Sequence, residues 1–214
     1  MRILDLFCGA GGAAMGIHQA IPSAEITGVD INEQTEYPFS SVVCDWKEVN
    51  PDNYDFIWAS PPCQAYSIGG NSESRKRYPK LIDDVRVALL SSGRPFIIEN
   101  VPAAPLRKDL MLCGTMFDEL RVIRHRIFEL RRCSCPQQEH KKHIGSVSNG
   151  DCIMVCRGGR PGCFGDKEKR NKLKAPTVEE AAKAMGITHM TNFGSICESI
   201  PPAYSRYIFK NLER

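Results

Sequence analysis

The decapeptide Ile3-Leu4-Asp5-Leu6-Phe7-Cys8-Gly9-Ala10-Gly11-Gly12 starts as an apolar run of strand length and ends in glycines. A strand that breaks into a glycine turn and then a helix, here to about Ala20, lets backbone approach a ligand closely. The pattern recurs along the chain. Ile26-Thr27-Gly28-Val29-Asp30 reads as a second strand, residues 41–45 as a third and residues 55–59 as a fourth. A helix is expected over 81–91, followed by the apolar run Phe96-Ile97-Ile98-Glu99-Asn100-Val101. Strands alternating with helices predict an α/β fold with a parallel sheet covered on both faces. Ligands of such sheets bind at the carboxyl ends of the strands.

The glycine turn lacks the Gly-Lys-Ser/Thr of a phosphate-binding loop. Asp30 and Asp45 end the next two strands, where carboxylates suit ribose hydroxyls. An adenosine-bearing cofactor is therefore expected.

At 214 residues, with ordinary apolar and charged fractions, the chain is expected to form one domain with a small insertion. No apolar stretch has the length of a membrane span and no signal-peptide pattern is visible, so a cytoplasmic protein with reduced thiols is expected. Its ten cysteines then read as core residues, a nucleophile or metal ligands, not as a disulfide framework. Charge is uneven. Residues 1–120 carry ten Lys and Arg against sixteen Asp and Glu, whereas residues 121–174 carry fourteen against five, a net +9. A basic block in an otherwise acidic chain suits a polyanion, although a solvated loop would read the same way.

Cys63 follows Pro61 and Pro62 at the end of the fourth strand. Prolines stiffen the backbone before it, and Gly69 and Gly70 leave the next loop room to move. Arg75, Lys76 and Arg77 add cations nearby. A thiol so placed can be a nucleophile or a structural cysteine, and position alone does not separate the two. Glu99 ends a strand of apolar residues, where a carboxylate serves as an acid or as a polar anchor. Strand ends bearing a glycine turn, Asp30, Cys63 and Glu99 would converge on one rim.

Beyond residue 131 the sequence turns polar, basic and rich in Cys and His, with one expected strand at 152–156. Cys133, Cys135, His140, His143, Cys152, Cys156 and Cys163 could bind zinc, folding a segment too small for its own core. Thr177 and Glu180 form a capping-box pattern, and Pro201 and Pro202 are placed to start a further helix.

DLFCGAGG, GVDIN, SPPCQAYS, IIENV and RHRIF occur in the order and spacing of the cytosine-C5 DNA methyltransferase family, which the chain resembles over about residues 1–130 and 176–214. The tail is similar to that of compact phage and prophage members. The resemblance implies a Rossmann-like, S-adenosylmethionine-dependent methyltransferase fold with a reduced target-recognition insertion at 131–175. It implies Cys63 as the nucleophile toward cytosine C6, Glu99 as the acid that reads the ring edge, and Arg126 and Arg124 as the arginines of the Arg-x-Arg motif. Phe7, Gly9, Ala10, Gly11, Gly12, Asp30, Ile31, Asp45, Trp46, Pro62 and Ser199 would hold S-adenosylmethionine. The loop from Tyr66 to about Lys80 would be a lid over a flipped-out base.

Three features depart from the family pattern. Val122 stands where a Gln is usual, Cys197-Glu198-Ser199-Ile200 replaces a Gly-Asn-Ser-Val type of motif, and the recognition region is short. The expected partner is double-stranded DNA, with a short target, and the chain is expected to be a monomer. A non-catalytic nucleic-acid-binding protein and an RNA methyltransferase are the alternatives.

Overall fold

β1 (Arg2–Leu6) pairs in parallel with β2 (Glu25–Asp30) on one side and β4 (Phe56–Ala59) on the other. This arrangement organises the computed structural model, which describes residues 1–67, 76–140, 143, 146–147, 149–156 and 175–213. β3 (Ser40–Val43) extends the sheet beyond β2, and β5 (Phe96–Asn100) lies beside β4, all in parallel. β6 (Leu110–Leu112) and β7 (Arg126–Arg131) complete the order β3-β2-β1-β4-β5-β7-β6. The chain moves outward from β1 to β3 and then crosses back to β4. The crevice between β1 and β4 is thus the switch point where such sheets take ligands.

The five expected strands form, and they are parallel to one another. The sheet as a whole is mixed, because β7 runs antiparallel to both β5 and β6. Period-two alternation sorts side chains onto the two faces. Phe56 and Trp58 point to one face, where both lie against Phe209, with ring centroids 5.1 and 6.3 Å apart. Ile57 and Ala59 point to the other, with Ile82, Val85 and Leu89 of α2 (Ile82–Ser91). Each fully buried side chain of this size contributes about 1.5–3 kcal/mol.

On the first face α1 (Gly12–Ala20) packs along α5 (Pro202–Lys210), and Ser205 Oγ donates to the Ala13 carbonyl at 2.7 Å. A Cβ on Gly12 would come within 2.5 Å of the Ile200 carbonyl, so only glycine permits this approach. The expected capping box starts α3 (Val178–Met185): Glu180 N donates to Thr177 Oγ1 at 3.1 Å, and Thr177 N to the Glu180 carboxylate at 2.8 Å. Proline starts α5 as expected, with Pro201 as its N-cap. α4 (Phe193–Glu198) lies between them, capped by Asn192.

Residues 152–156 do not form the expected strand. Ile153 N donates to Arg121 O at 2.6 Å, and Cys152 and Val155 are buried. Tertiary packing against 121–124 holds this run, and no ladder partner is assigned to it. Among the described residues no helix is long and apolar enough to cross a membrane, and the nine described cysteines form no disulfide.

Candidate active site

Backbone geometry prepares the first wall of the cleft. Phe7 and Gly9 adopt positive φ (58° and 48°), and a Cβ built on Gly9 meets nothing within 4 Å. Gly9 N donates to Asp30 Oδ2 at 3.1 Å, and Asn32 N to Asp30 Oδ1 at 3.0 Å, so the carboxylate ending β2 holds the turn after β1. Asp45 caps a 3-10 turn through Lys47 N at 3.0 Å, and Trp46 in that turn stands 6.0 Å from the Phe7 ring. Ile31, at 70%, is the most exposed of the large apolar side chains among the described residues.

These groups line one cleft of about 1110 Å³ together with Ala10, Gly12, Pro62, Ser199, Cys63, Glu99, Arg124 and Arg126. Of the residues expected around a cofactor, only Gly11 lies off the lining. It is the α1 N-cap at φ 84°, where a Cβ would run into Pro38 Cδ at 2.7 Å. Ser199 contributes its hydroxyl to Met190 Sδ at 3.4 Å.

The second wall carries Cys63, Glu99, Arg124 and Arg126. Cys63 follows β4 and begins a tight turn in which Tyr66 N, Ser67 N and Ser67 Oγ all donate to its carbonyl, at 3.0, 2.9 and 3.0 Å. Residues 68–75 of the expected lid, with Gly69, Gly70 and Arg75, lie outside the described residues, while Lys76 and Arg77 are exposed. Glu99 is buried in β5 and pairs with Arg126 Nε at 2.9 Å. Burial raises its carboxyl above the usual range, against the opposing influence of Arg126, Ser60 and Arg124. Trp58 Nε1 donates to Ser60 Oγ at 2.8 Å, and Ser60 in turn bonds Glu99.

Arg124 takes a different position from Arg126. Its guanidinium donates to the carbonyls of Val155, Cys197 and Ser199 at 3.1, 2.7 and 2.8 Å. Its own carbonyl accepts from the Tyr204 hydroxyl. Burial, with the Arg126 charge adding to it, brings its pKa down to about 10. Arg124 therefore joins four chain segments behind the cleft, while Arg126 faces the carboxylate.

Asn100 was not singled out by sequence reasoning, although it sits inside the quoted IIENV. It is buried, and its Nδ2 donates to the Pro61 carbonyl at 2.8 Å. Asp5, also unselected, is buried under the glycine turn and accepts from Tyr37 OH at 3.2 Å. Desolvation raises its carboxyl to about 7, with Tyr37 opposing and Asp30 adding to the rise.

The residues expected to bind zinc do not gather as one set. Cys133 and Cys135 pack against the main core, Cys152 is buried near residue 121, and Cys163 lies outside the described residues. His140 and His143 come together with Cys113 and His125, neither of which the sequence had marked as a ligand.

A family model, C-5 cytosine-specific DNA methylase, matches residues 1–123, which include Phe7, Asp30, Cys63 and Glu99. The chain belongs to this family. Among relatives of the C-5 cytosine methylase chain, the type II methyltransferase M.DdeI of Desulfomicrobium norvegicum is 30% identical over 115 residues, covering 47% of this chain and 28% of that protein. The type II methyltransferase M.AquIA of Picosynechococcus sp. is 25% identical over 123 residues, covering 47% and 48%. The match thus spans less than half the length of either relative. The solved structure of the Entamoeba histolytica methyltransferase EhMeth covers 99% of this chain and 97% of its own, with 16% identity and a TM-score of 0.59. That likeness places the methylase fold over the described chain. The family match stops one residue before Arg124-His125-Arg126.

Proposed function

We propose that the chain is a DNA cytosine-C5 methyltransferase, with 1–130 and 176–214 as its catalytic part and 131–175 as a reduced target-recognition region. The observation that carries this reading is that Cys63, Glu99 and Arg126 share one cleft with the glycine turn and Asp30. S-adenosylmethionine fits the first wall on three counts: open space beyond Gly9, an acidic strand end at Asp30 and an exposed apolar Ile31. When bound, it would supply an electrophilic methyl group.

The residues of the second wall divide the work on the base. Cys63, as its thiolate, bonds cytosine C6 with a sulfur electron pair, the C5–C6 π pair shifting to C4–C5 and the C4–N3 π pair to N3. Glu99, whose carboxyl burial raises above the usual range, donates a hydrogen bond to N3 in its protonated form and stabilises that charge. Arg126 orients Glu99 and offers a cation at the ring edge. After C5 is methylated, a water-borne base removes the C5 proton. The C–H pair re-forms the C5–C6 double bond and expels the Cys63 thiolate. A stacked duplex hides C5, so the base must be flipped out at a cost of a few kcal/mol. The net +9 of residues 121–174 supports a phosphate backbone as partner.

The test is transfer of labelled methyl from S-adenosylmethionine to duplex DNA, beside an RNA control, by wild type and Cys63→Ser. Label at cytosine C5 of DNA with wild type alone is the expected result. Equal labelling by the variant would sink the nucleophile, and label confined to RNA would move the substrate class.

A further inference from the structure

We propose that Cys113, His125, His140 and His143 form a structural zinc site that fastens the basic region to the edge of the catalytic sheet. Cys113 immediately follows β6 and His125 immediately precedes β7. Because Leu112 pairs with Arg126 in the antiparallel register, the two stand opposite each other across the ladder. His140 and His143 come from the region after β7 and reach the same point.

Three of the six spacings match those around a tetrahedral ion, and the other three fall within 4.8 Å. With zinc bonds of about 2.3 Å to sulfur and about 2.0–2.1 Å to nitrogen, a tetrahedron sets nitrogens about 3.3–3.4 Å apart and sulfur about 3.5–3.6 Å from nitrogen. Here His125 Nε2 is 3.3 Å from His140 Nε2, which is 3.2 Å from His143 Nε2, and Cys113 Sγ is 3.5 Å from His143 Nε2. All four ligand atoms lie within 4.8 Å of one another.

Hydrogen bonding alone does not account for this packing. His140 Nε2 lies at bonding distance from two other ring nitrogens. A neutral imidazole nitrogen carries one proton or one lone pair, so it cannot serve both contacts well. A cation at the centre accepts a lone pair from every member. One thiolate with three imidazoles suits zinc, and four protein ligands leave no open position, as in a structural site. Thr115 Oγ1 donates to Cys113 Sγ at 3.4 Å, an outer contact of the sort that steadies a metal-bound sulfur. The site rests on geometry alone and stands whether or not the chain methylates DNA.

Elemental analysis of the purified full chain should find one zinc per molecule in wild type and in Cys135→Ser, and at least tenfold less in Cys113→Ser and His143→Ala. In the cobalt(II)-substituted protein, the charge-transfer band should have the intensity of a single thiolate. Cys113→Asp should abolish that band and keep the tetrahedral ligand-field bands, a result that a misfolded variant cannot give. A folded wild type that takes up neither zinc nor cobalt overturns the site. So does a wild-type band of two or more thiolates, which is readable without any variant.

Discussion

The Asn100 carboxamide donates to the Pro61 carbonyl at 2.8 Å, tying β5 to the turn that follows β4. Glu99 and Cys63 are therefore held by one buried hydrogen bond as well as by the ladder between their strands. Asn100→Ala leaves a buried carbonyl unpaired and should cost about 1–3 kcal/mol. Its rate of methyl transfer should fall further than that of an equally destabilised variant elsewhere, compared where both are fully folded. Equal loss in the two variants would reduce Asn100 to a stabilising residue.

Arg126 opposes the rise that burial imposes on Glu99. If protonated Glu99 is the working form, activity declines as pH rises through its pKa. Removing the guanidinium favours the neutral carboxyl and moves the pKa higher. The alkaline limb of kcat/KM against pH should therefore shift upward in Arg126→Gln, beneath a lower maximum. A downward shift would contradict the assignment of Glu99 as the acid.

Asp5 titrates near 7 in the fold, against an ordinary value of 3.8, mainly because it is buried. Folding thus takes up a proton between those values. The stability this proton gives is whole below about pH 4 and fades as pH rises through about 7. Urea unfolding at about pH 5 and about pH 8 should differ by on the order of a few kcal/mol in wild type and by clearly less in Asp5→Asn. A parallel pH dependence in the variant would place the titration elsewhere.

Two neighbouring glycines should fail in different ways. Gly9→Ala places a methyl in open cleft space at a left-handed φ, costing about 1 kcal/mol, and its main effect should be weaker binding of S-adenosylmethionine by calorimetry. Gly12→Ala meets the Ile200 carbonyl at 2.5 Å, so its main effect should be a lower Tm. Both outcomes exchanged would mean that the turn is read the wrong way round.

Arg86 of α2 grips Glu129 of β7 through Nε at 3.0 and 3.1 Å and Nη2 at 2.9 Å, with the carboxylate almost fully buried. Arg86→Met leaves that charge with the Arg107 N–H at 3.1 Å but without its guanidinium partner, and should cost about 3 kcal/mol, measured by urea denaturation. Glu129→Gln in the same background should recover part of the loss, since it removes the stranded charge.

β1, β4 and β5 were legible because each is an apolar run bounded by turn residues, with burial on both faces erasing alternation, whereas the exposed edge strand β3 was legible only from its Val42-Val43 pair. β7 was hidden. Its apolar residues are only Ile127, Phe128 and Leu130, and it carries Glu129 inward, a choice that makes sense only with Arg86 opposite. β6 is three residues long and owes its existence to β7. The run at 152–156 looked like a strand because Cys, Ile, Met and Val follow one another, yet packing, not a ladder, buries it. Cys63 and Glu99 could be picked from their places at strand ends. Asn100 could not be separated from its neighbours, because its partner is a carbonyl 39 positions away. Likewise, Cys113 and His125 meet His140 and His143 only through the register of two strands that the sequence left unread.

α1 lies along α5, and the Ala13 carbonyl waits for the hydroxyl of Ser205, 192 positions downstream. During synthesis the glycine turn leaves the ribosome long before its cover exists. The nascent sheet must therefore expose the apolar face of β1 and β4 until Pro202 and the residues after it emerge. Loop closure over such a distance is slow relative to local helix formation. Apolar surface exposed for such an interval favours aggregation. The cleft is accordingly finished only after α5 has formed, although the glycine turn of its first wall precedes α5 by nearly two hundred positions.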